Sequence, residues 1–257
     1  MEMEHDFLDK YAHIDGPVQR LHPHPKILLA VLTILLVVLT SPTNTARFAG
    51  VGILLALTLA VSGVPASFVL RRSLVVLPFV LAVALGAPFL EPGAGGHVPI
   101  VAGLEVPRAG LLVVWNVLVK SWLSAVTMLL LVSTTPFPSL LDGARSLGVP
   151  RIMAQVIAFM YRYLFIIQDE LMRLVRARTS RSIGNEGFLW HARTAGGLLG
   201  SLFIRSYERG ERVYLAMAAR GYAGELPILE RQKMASRDVV ASLVMVLVLA
   251  CVAGVTL

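Results

Sequence analysis

The stretch that decides the fold is 109-AGLLVVWNVLVKSWLSAVTMLLLVSTT-135, a run of apolar residues in which Lys120 is the only charge. A soluble helix interrupts such a run every few positions because one of its faces stays wet. This one does not, and at about 1.5 Å per residue it is long enough for a hydrocarbon layer about 30 Å thick. Working outward, four more apolar helices are expected: Pro25 to Thr40, Phe48 to Val64, Leu74 to Leu90 and Val239 to Leu257. The first three spans are slightly short. Pro42, Pro65 and Pro107 punctuate the connections, as a residue that cannot continue a helix should.

Composition agrees. Of 257 residues, 56% are hydrophobic and 15% charged, against roughly 25% charged in a soluble domain, and the mean hydropathy is +0.73. The fold class expected is all-α: a polytopic membrane protein with about five transmembrane helices and a cytoplasmic set of three helices inserted before the last span. The first apolar run starts at Ile27 after a stretch of mixed charge and reads as a retained span, not a signal peptide. Cys251 is the one cysteine and lies in an apolar run, so no disulfide framework is expected.

The net charge of +7 raises a nucleic-acid reading, but the bases lie between apolar spans, where the positive-inside bias accounts for them and no nucleic acid is needed. Residues 136–236 hold 14 Lys/Arg against 8 Asp/Glu, nearly all of the excess. With Arg71 and Arg72 marking the second connection as cytoplasmic, the N-terminus falls inside and the C-terminus outside. The chain then divides into 1–135 (tail and spans one to four), 136–236 (cytoplasmic helices) and 237–257 (last span). The loop Glu91 to Arg108, with Gly93, Gly95, Gly96 and Gly103 and the alternating Val98 to Val106, reads as a small exterior hairpin. In the cytoplasmic insertion, helices are expected over Pro138 to Leu147, Pro150 to about Ser182 and about Leu189 to Ala219, separated by Gly148 with Pro150 and by Gly184 to Gly187. Ile152 to Ile167 is apolar, but Gln155 and Arg162 make it an amphipathic surface helix; a central Arg costs about 2.5–3.5 kcal/mol on insertion.

Chemistry is sparse. No G-x-x-x-x-G-K-[ST] loop is present, so ATP, if used, is hydrolysed by another chain. Gly196, Gly197 and Gly200 suit close helix packing. Of the six histidines, His13, His22, His24, His97 and His191 lack carboxylate or thiol partners at ligand spacing, and no metal site is expected. Asp142-Gly143-Ala144-Arg145 resembles the start of a phospholipid-transferase motif whose further aspartates are missing. Asn116 and Lys120 share one face of the long span and form a possible intramembrane polar site; the alternative is that Lys120 snorkels or bonds a neighbouring helix or subunit. On the last cytoplasmic helix Arg205, Arg209, Arg212 and Arg220 fall within about 80° of one another at 100° per residue. Glu208 and Glu211 are spaced to satisfy some of them. Leu199, Phe203, Tyr207, Tyr214 and Met217 form an adjacent apolar edge. Arg220 remains uncompensated at the helix end, where Gly221 supplies the stop.

At 206-SYERGERVYLAMAARGY-222 the sequence resembles the coupling signature of CbiQ proteins, the transmembrane T subunits of energy-coupling-factor transporters for cobalt and nickel. The resemblance extends through Arg20-Leu21-His22-Pro23 and Lys26, Ser133-Thr134-Thr135-Pro136, Leu147-Gly148-Val149-Pro150 and Tyr161-Arg162-Tyr163. It implies two short Ala-Arg-Gly motifs, each docking into a groove on one of two CbiO-like ATPase subunits. The second falls on Ala219, Arg220 and Gly221. The first falls on Ala177, Arg178 and Thr179, with Thr in place of Gly, and Arg181 is near enough to share or take the role. It further implies a CbiM-like capture subunit, with or without a small CbiN-like companion, in a bacterial or archaeal cytoplasmic membrane. ATP and magnesium would be bound by the ATPase subunits, and this chain would carry no cofactor and catalyse nothing. Cobalt is expected ahead of nickel. A self-sufficient channel or secondary carrier would need a lined polar path and a repeat of spans, and neither is visible; a membrane enzyme would need a cluster of acids or a nucleophile and base.

Overall fold

The computed structural model describes residues 16–84, 97–101, 104–181, 187–222 and 236–254. In chain order the elements are α1 (Pro23–Leu39), α2 (Thr45–Ser62), α3 (Ala66–Leu74), α4 (Leu77–Ala84), β1 (His97–Val101), β2 (Leu104–Pro107), α5 (Arg108–Thr134), α6 (Phe137–Ser146), α7 (Arg151–Thr179), α8 (Phe188–Ala219) and α9 (Ser236–Gly254). The chain is thus helical, and β1 and β2 form the antiparallel hairpin read from the alternation, with Val98 opposite Val106. The expected end of the third span (85–90), the loop glycines 93, 95, 96 and 103, residues 184–186, His13 and Leu257 lie outside the described residues.

Local chemistry sets the helix limits. The His22 Nδ1 accepts from the His24 backbone N–H at 3.3 Å, capping α1, and Pro23 occupies its first turn, where a missing N–H costs nothing. Gly63 ends α2 at φ 68, in the left-handed region that a Cβ disfavours. Arg71 and Arg72, expected in a loop, instead lie on the amphipathic α3, whose Val69 and Ser73 are buried. The helix at the place of the expected third span accordingly starts at Leu77 instead of Leu74, because α3 occupies the connection and ends at Leu74.

The chain forms two units: Met1–Leu147 with Gln232–Leu257, and Gly148–Arg231. The core of the first joins Val37 of α1, Phe48, Val51 and Leu55 of α2, Val69 of α3, and Leu123, Val126 and Leu130 of α5. Trp122 donates its indole N–H to Ser73 Oγ at 3.1 Å, fixing α3 on α5. α6 packs on α1, and Gly143 is what lets it approach: a Cβ there would lie 2.7 Å from Ile27 Cδ1 and 3.3 Å from the Pro23 backbone. The Asp142–Arg145 pair, 3.9 Å apart, is local to that helix.

Among the described residues, two helices are long and apolar enough to cross a membrane, Thr45–Ser62 and, within α5, Leu112–Thr134, each with mean hydropathy 1.7. Only 28% and 33% of those windows are buried against the rest of the chain, unlike the core helix of a soluble protein. α1 and α9 are apolar but shorter. Leu39, Ile53, Phe79 and Leu247 are exposed large apolar side chains, an arrangement that a lipid surround accommodates and water does not.

Candidate functional site

The second unit is built on α7 and α8, which pack together. Glu170 of α7 clasps them: its carboxylate, only 13% exposed, accepts from Arg205 Nη1 at 2.5 Å and lies 3.8 Å from Arg173 Nε. Arg205 therefore finds its counter-ion across the helix pair and not on its own helix, whereas Arg212 pairs with Glu208 at 3.8 Å, as the i,i+4 spacing suggested. Beside the clasp Phe159, Tyr163, Ile167, Val213 and Met217 line a groove of about 280 Å³, with Arg209 at its wall. The apolar edge expected of α8 is exposed at Leu199, Phe203, Tyr207 and Tyr214. Among the described residues, nothing would meet a Cβ within 4 Å at Gly196, Gly197 or Gly200, so the close packing expected there is absent.

Ala219, Arg220 and Gly221 end α8. The Gly221 N–H donates to Ala218 O at 3.0 Å and the Tyr222 N–H to Met217 O at 3.1 Å, with Gly221 at φ 81. This pair of bonds is a Schellman motif, and it explains the order Ala-Arg-Gly: glycine takes the left-handed residue, so the arginine before it becomes the last cap of the helix. Arg220 is exposed and has no ion pair among the described residues.

The first tip is built differently. Ala177, Arg178 and Thr179 are the last residues of α7, Ser180 follows in a right-handed conformation, and the Thr179 hydroxyl donates to Arg176 O at 2.9 Å. With Thr in place of Gly there is no left-handed stop. The Arg178 Nη2 donates to His191 Nδ1 at 2.9 Å, and its guanidinium carbon stands 5.2 Å from the centroid of the Trp190 ring. Arg181 is exposed just beyond, its N–H bonded to Arg178 O at 2.9 Å.

In the first unit Lys120 does not pair with Asn116. Its Nζ donates to Val38 O at 2.7 Å, and Asn116 Oδ1 is buried with no hydrogen-bond partner among the described residues. Sequence reasoning gave no structural role to Lys26, which is 8% exposed and donates to Gln19 O (3.1 Å), Thr134 O (3.3 Å) and Thr135 Oγ1 (3.4 Å), with the buried Asp238 acting on its charge. It passed over Arg47, whose Nη2 donates to Ala253 O at 2.7 Å.

A family model, "Cobalt transport protein" (CbiQ), matches residues 18–233. The energy-coupling factor transporter transmembrane protein EcfT of Thermanaerovibrio acidaminovorans is 30% identical over 230 residues, 84% of this chain and 83% of its own. The cobalt transport protein CbiQ of Rhodobacter capsulatus is 29% identical over 106 residues, 41% of this chain and 43% of its own. The nickel permease LarQ of Lactiplantibacillus plantarum is 32% identical over 91 residues, 35% of this chain and 33% of its own. Both tips lie inside the matched stretch, and with it the chain belongs to the CbiQ family of transmembrane transport subunits.

Proposed function

We propose that this chain is the energy-coupling transmembrane subunit of an ECF-type importer for cobalt ions. It crosses the cytoplasmic membrane about five times, N-terminus inside and C-terminus outside, and α7 and α8 lie on the cytoplasmic side. Arg220, with Ala219 and Gly221, enters a groove on one ATPase subunit; Arg178, with Ala177, Thr179 and neighbouring Arg181, enters the groove of a second. ATP and magnesium are bound on those subunits, and their closure moves α7 and α8 and, through them, a membrane subunit that captures the ion, with or without a small companion.

The observation that carries this reading is the Schellman end of α8, which leaves Arg220 projecting as an exposed cation with no counter-ion among the described residues. Such a group has little to contribute within its own chain. In a desolvated pocket with a carboxylate, its loss costs about 2–5 kcal/mol. The named relatives, one called a cobalt transport protein and another a nickel permease, support the cargo class, and nickel is the second reading.

Co-purification with candidate ATPase subunits, combined with cobalt uptake competed by nickel, tests the proposal. Arg220→Glu is expected to insert into the membrane but to lose ATPase binding and uptake. Unchanged binding and uptake in both Arg178→Glu and Arg220→Glu would point instead to a self-sufficient carrier.

A further inference from the structure

Of the two arginine tips, only that of α8 has a glycine to set its direction; the tip of α7 is held by side chains from the next helix. We infer that Trp190 and His191 are positioning residues that fix the Arg178 guanidinium for docking to an anionic groove on the ATPase, an inference that rests on the coupling function proposed above.

Three observations carry it. First, α7 runs through Arg178 and Thr179 into a right-handed Ser180, so the backbone does not turn the arginine outward as Gly221 does for Arg220. Second, the partners that hold Arg178 are an aromatic face at 5.2 Å and an imidazole nitrogen at 2.9 Å. Arginine has no acceptor, so His191 Nδ1 is the acceptor of this bond. Third, these partners orient the guanidinium without neutralising it. Arg173, Arg205 and Arg212 of the same unit each lie against a carboxylate, whereas Arg178 has none among the described residues, and four of its five N–H groups stay available.

Trp190 and His191 are placed for this by the first turn of α8, where both of their N–H groups reach back to Gly187 O, at 3.1 and 3.2 Å. Their rings meet edge to face, with centroids 5.3 Å apart and an interplanar angle of 84°. The Trp190 face and the His191 acceptor thus act as one surface. An arginine already confined on it loses less freedom when it docks, and its planar fork keeps the donor edge in one plane.

The test measures binding of the ATPase subunit to the full-length chain in lipid nanodiscs. Trp190→Ala with His191→Ala is expected to weaken binding by about 2- to 12-fold, the range associated with immobilising one long side chain. The same pair should have no effect in an Arg178→Ala background and its full effect in an Arg220→Ala background. Trp190→Phe with His191→Asn, which keeps a ring face and an acceptor near the place of Nδ1, should restore most of the affinity. Should the alanine pair not assemble, His191→Leu against His191→Asn repeats the comparison with the ring stack intact. No weakening, or the same weakening with Arg178 already removed, would mean that the two residues merely staple α8 to α7 and would overturn the inference. Binding that ignores Arg178→Ala and Arg220→Ala alike would overturn the coupling function itself, and the inference with it.

Discussion

Lys120 Nζ stands 2.7 Å from the carbonyl oxygen of Val38, and the reason lies four residues further on. That carbonyl would accept from residue 42 if α1 continued, and residue 42 is Pro42, which has no N–H. Thr134 O, bonded by Lys26 at 3.3 Å, is in the same position, because residue 138 is Pro138. Arg47 bonds Ala253 O at the end of α9. Three cations in or beside apolar helices are therefore each committed to the C-terminal carbonyls of a neighbouring helix, where the macrodipole is negative and the last carbonyls have no partner within their own helix.

A structural cap and an ion-path residue respond differently to substitution. Lys120→Met is expected to lower stability by about 1–2 kcal/mol, the cost of leaving a carbonyl unsatisfied, and to leave transport per folded molecule unchanged. Thermal unfolding in detergent alongside uptake normalised to membrane content separates the two effects. Loss of uptake at unchanged stability would return Lys120 to a functional role.

Lys26→Met should be the more damaging change. It removes the donor to three acceptors on two separate segments and takes a positive charge away from the buried Asp238. Removing one member of a buried charge arrangement costs about 3–5 kcal/mol. Poor membrane accumulation of Lys26→Met, partly recovered by adding Asp238→Asn, is the expected outcome, read by quantitative immunoblot and by the melting temperature of what can be purified.

How much was legible beforehand follows from the range over which each signal acts. The limits of α5 and α8 fall within about one residue of those read from Ala109–Thr135 and Leu189–Ala219, because long apolar periodicity and a terminal glycine are local signals. The hairpin was legible from alternation over Val98–Val106. α3 was not, since the adjacent Arg71 and Arg72 break a short apolar pattern and resemble a loop. The Arg220 tip was readable because its stop residue adjoins it. The partners of Arg205, Lys26, Lys120 and Arg178 were not readable, being 35, 108, 82 and 13 residues distant, and no i,i+4 rule reaches that far.

Gly221→Ala tests the geometry of the second tip. At φ 81 a Cβ costs about 1–2 kcal/mol, which fraying of the last turn would relieve. Gly221→Asn should behave better, since asparagine tolerates the left-handed region. The expected result is faster hydrogen exchange over Met217–Tyr222 in Gly221→Ala with the rest of α8 unaffected, and weaker ATPase binding than in Gly221→Asn. Equal exchange in both variants would mean that the Schellman bonds do not hold the tip.

The α7–α8 pair has to act as one lever if force applied at its arginine tips is to reach other subunits, and the Glu170–Arg205 ion pair is one of the links between them. The Glu170 carboxylate is shielded but Arg205 is 57% exposed, so the pair belongs with partly screened surface bridges, and Arg205→Ala should cost only about 0.5–1 kcal/mol. Its mechanical consequence should exceed that figure, because the groove beside it provides limited apolar contact to resist shear. Glu170→Gln is accordingly expected to leave the melting temperature within a few degrees of wild type while lowering uptake per ATP hydrolysed by the assembled transporter. Raised salt should reproduce part of the effect in wild type and little in the variant, since screening acts on a pair that the variant already lacks. Full coupling in Glu170→Gln at every salt concentration would mean that apolar packing between α7 and α8 is sufficient for the lever.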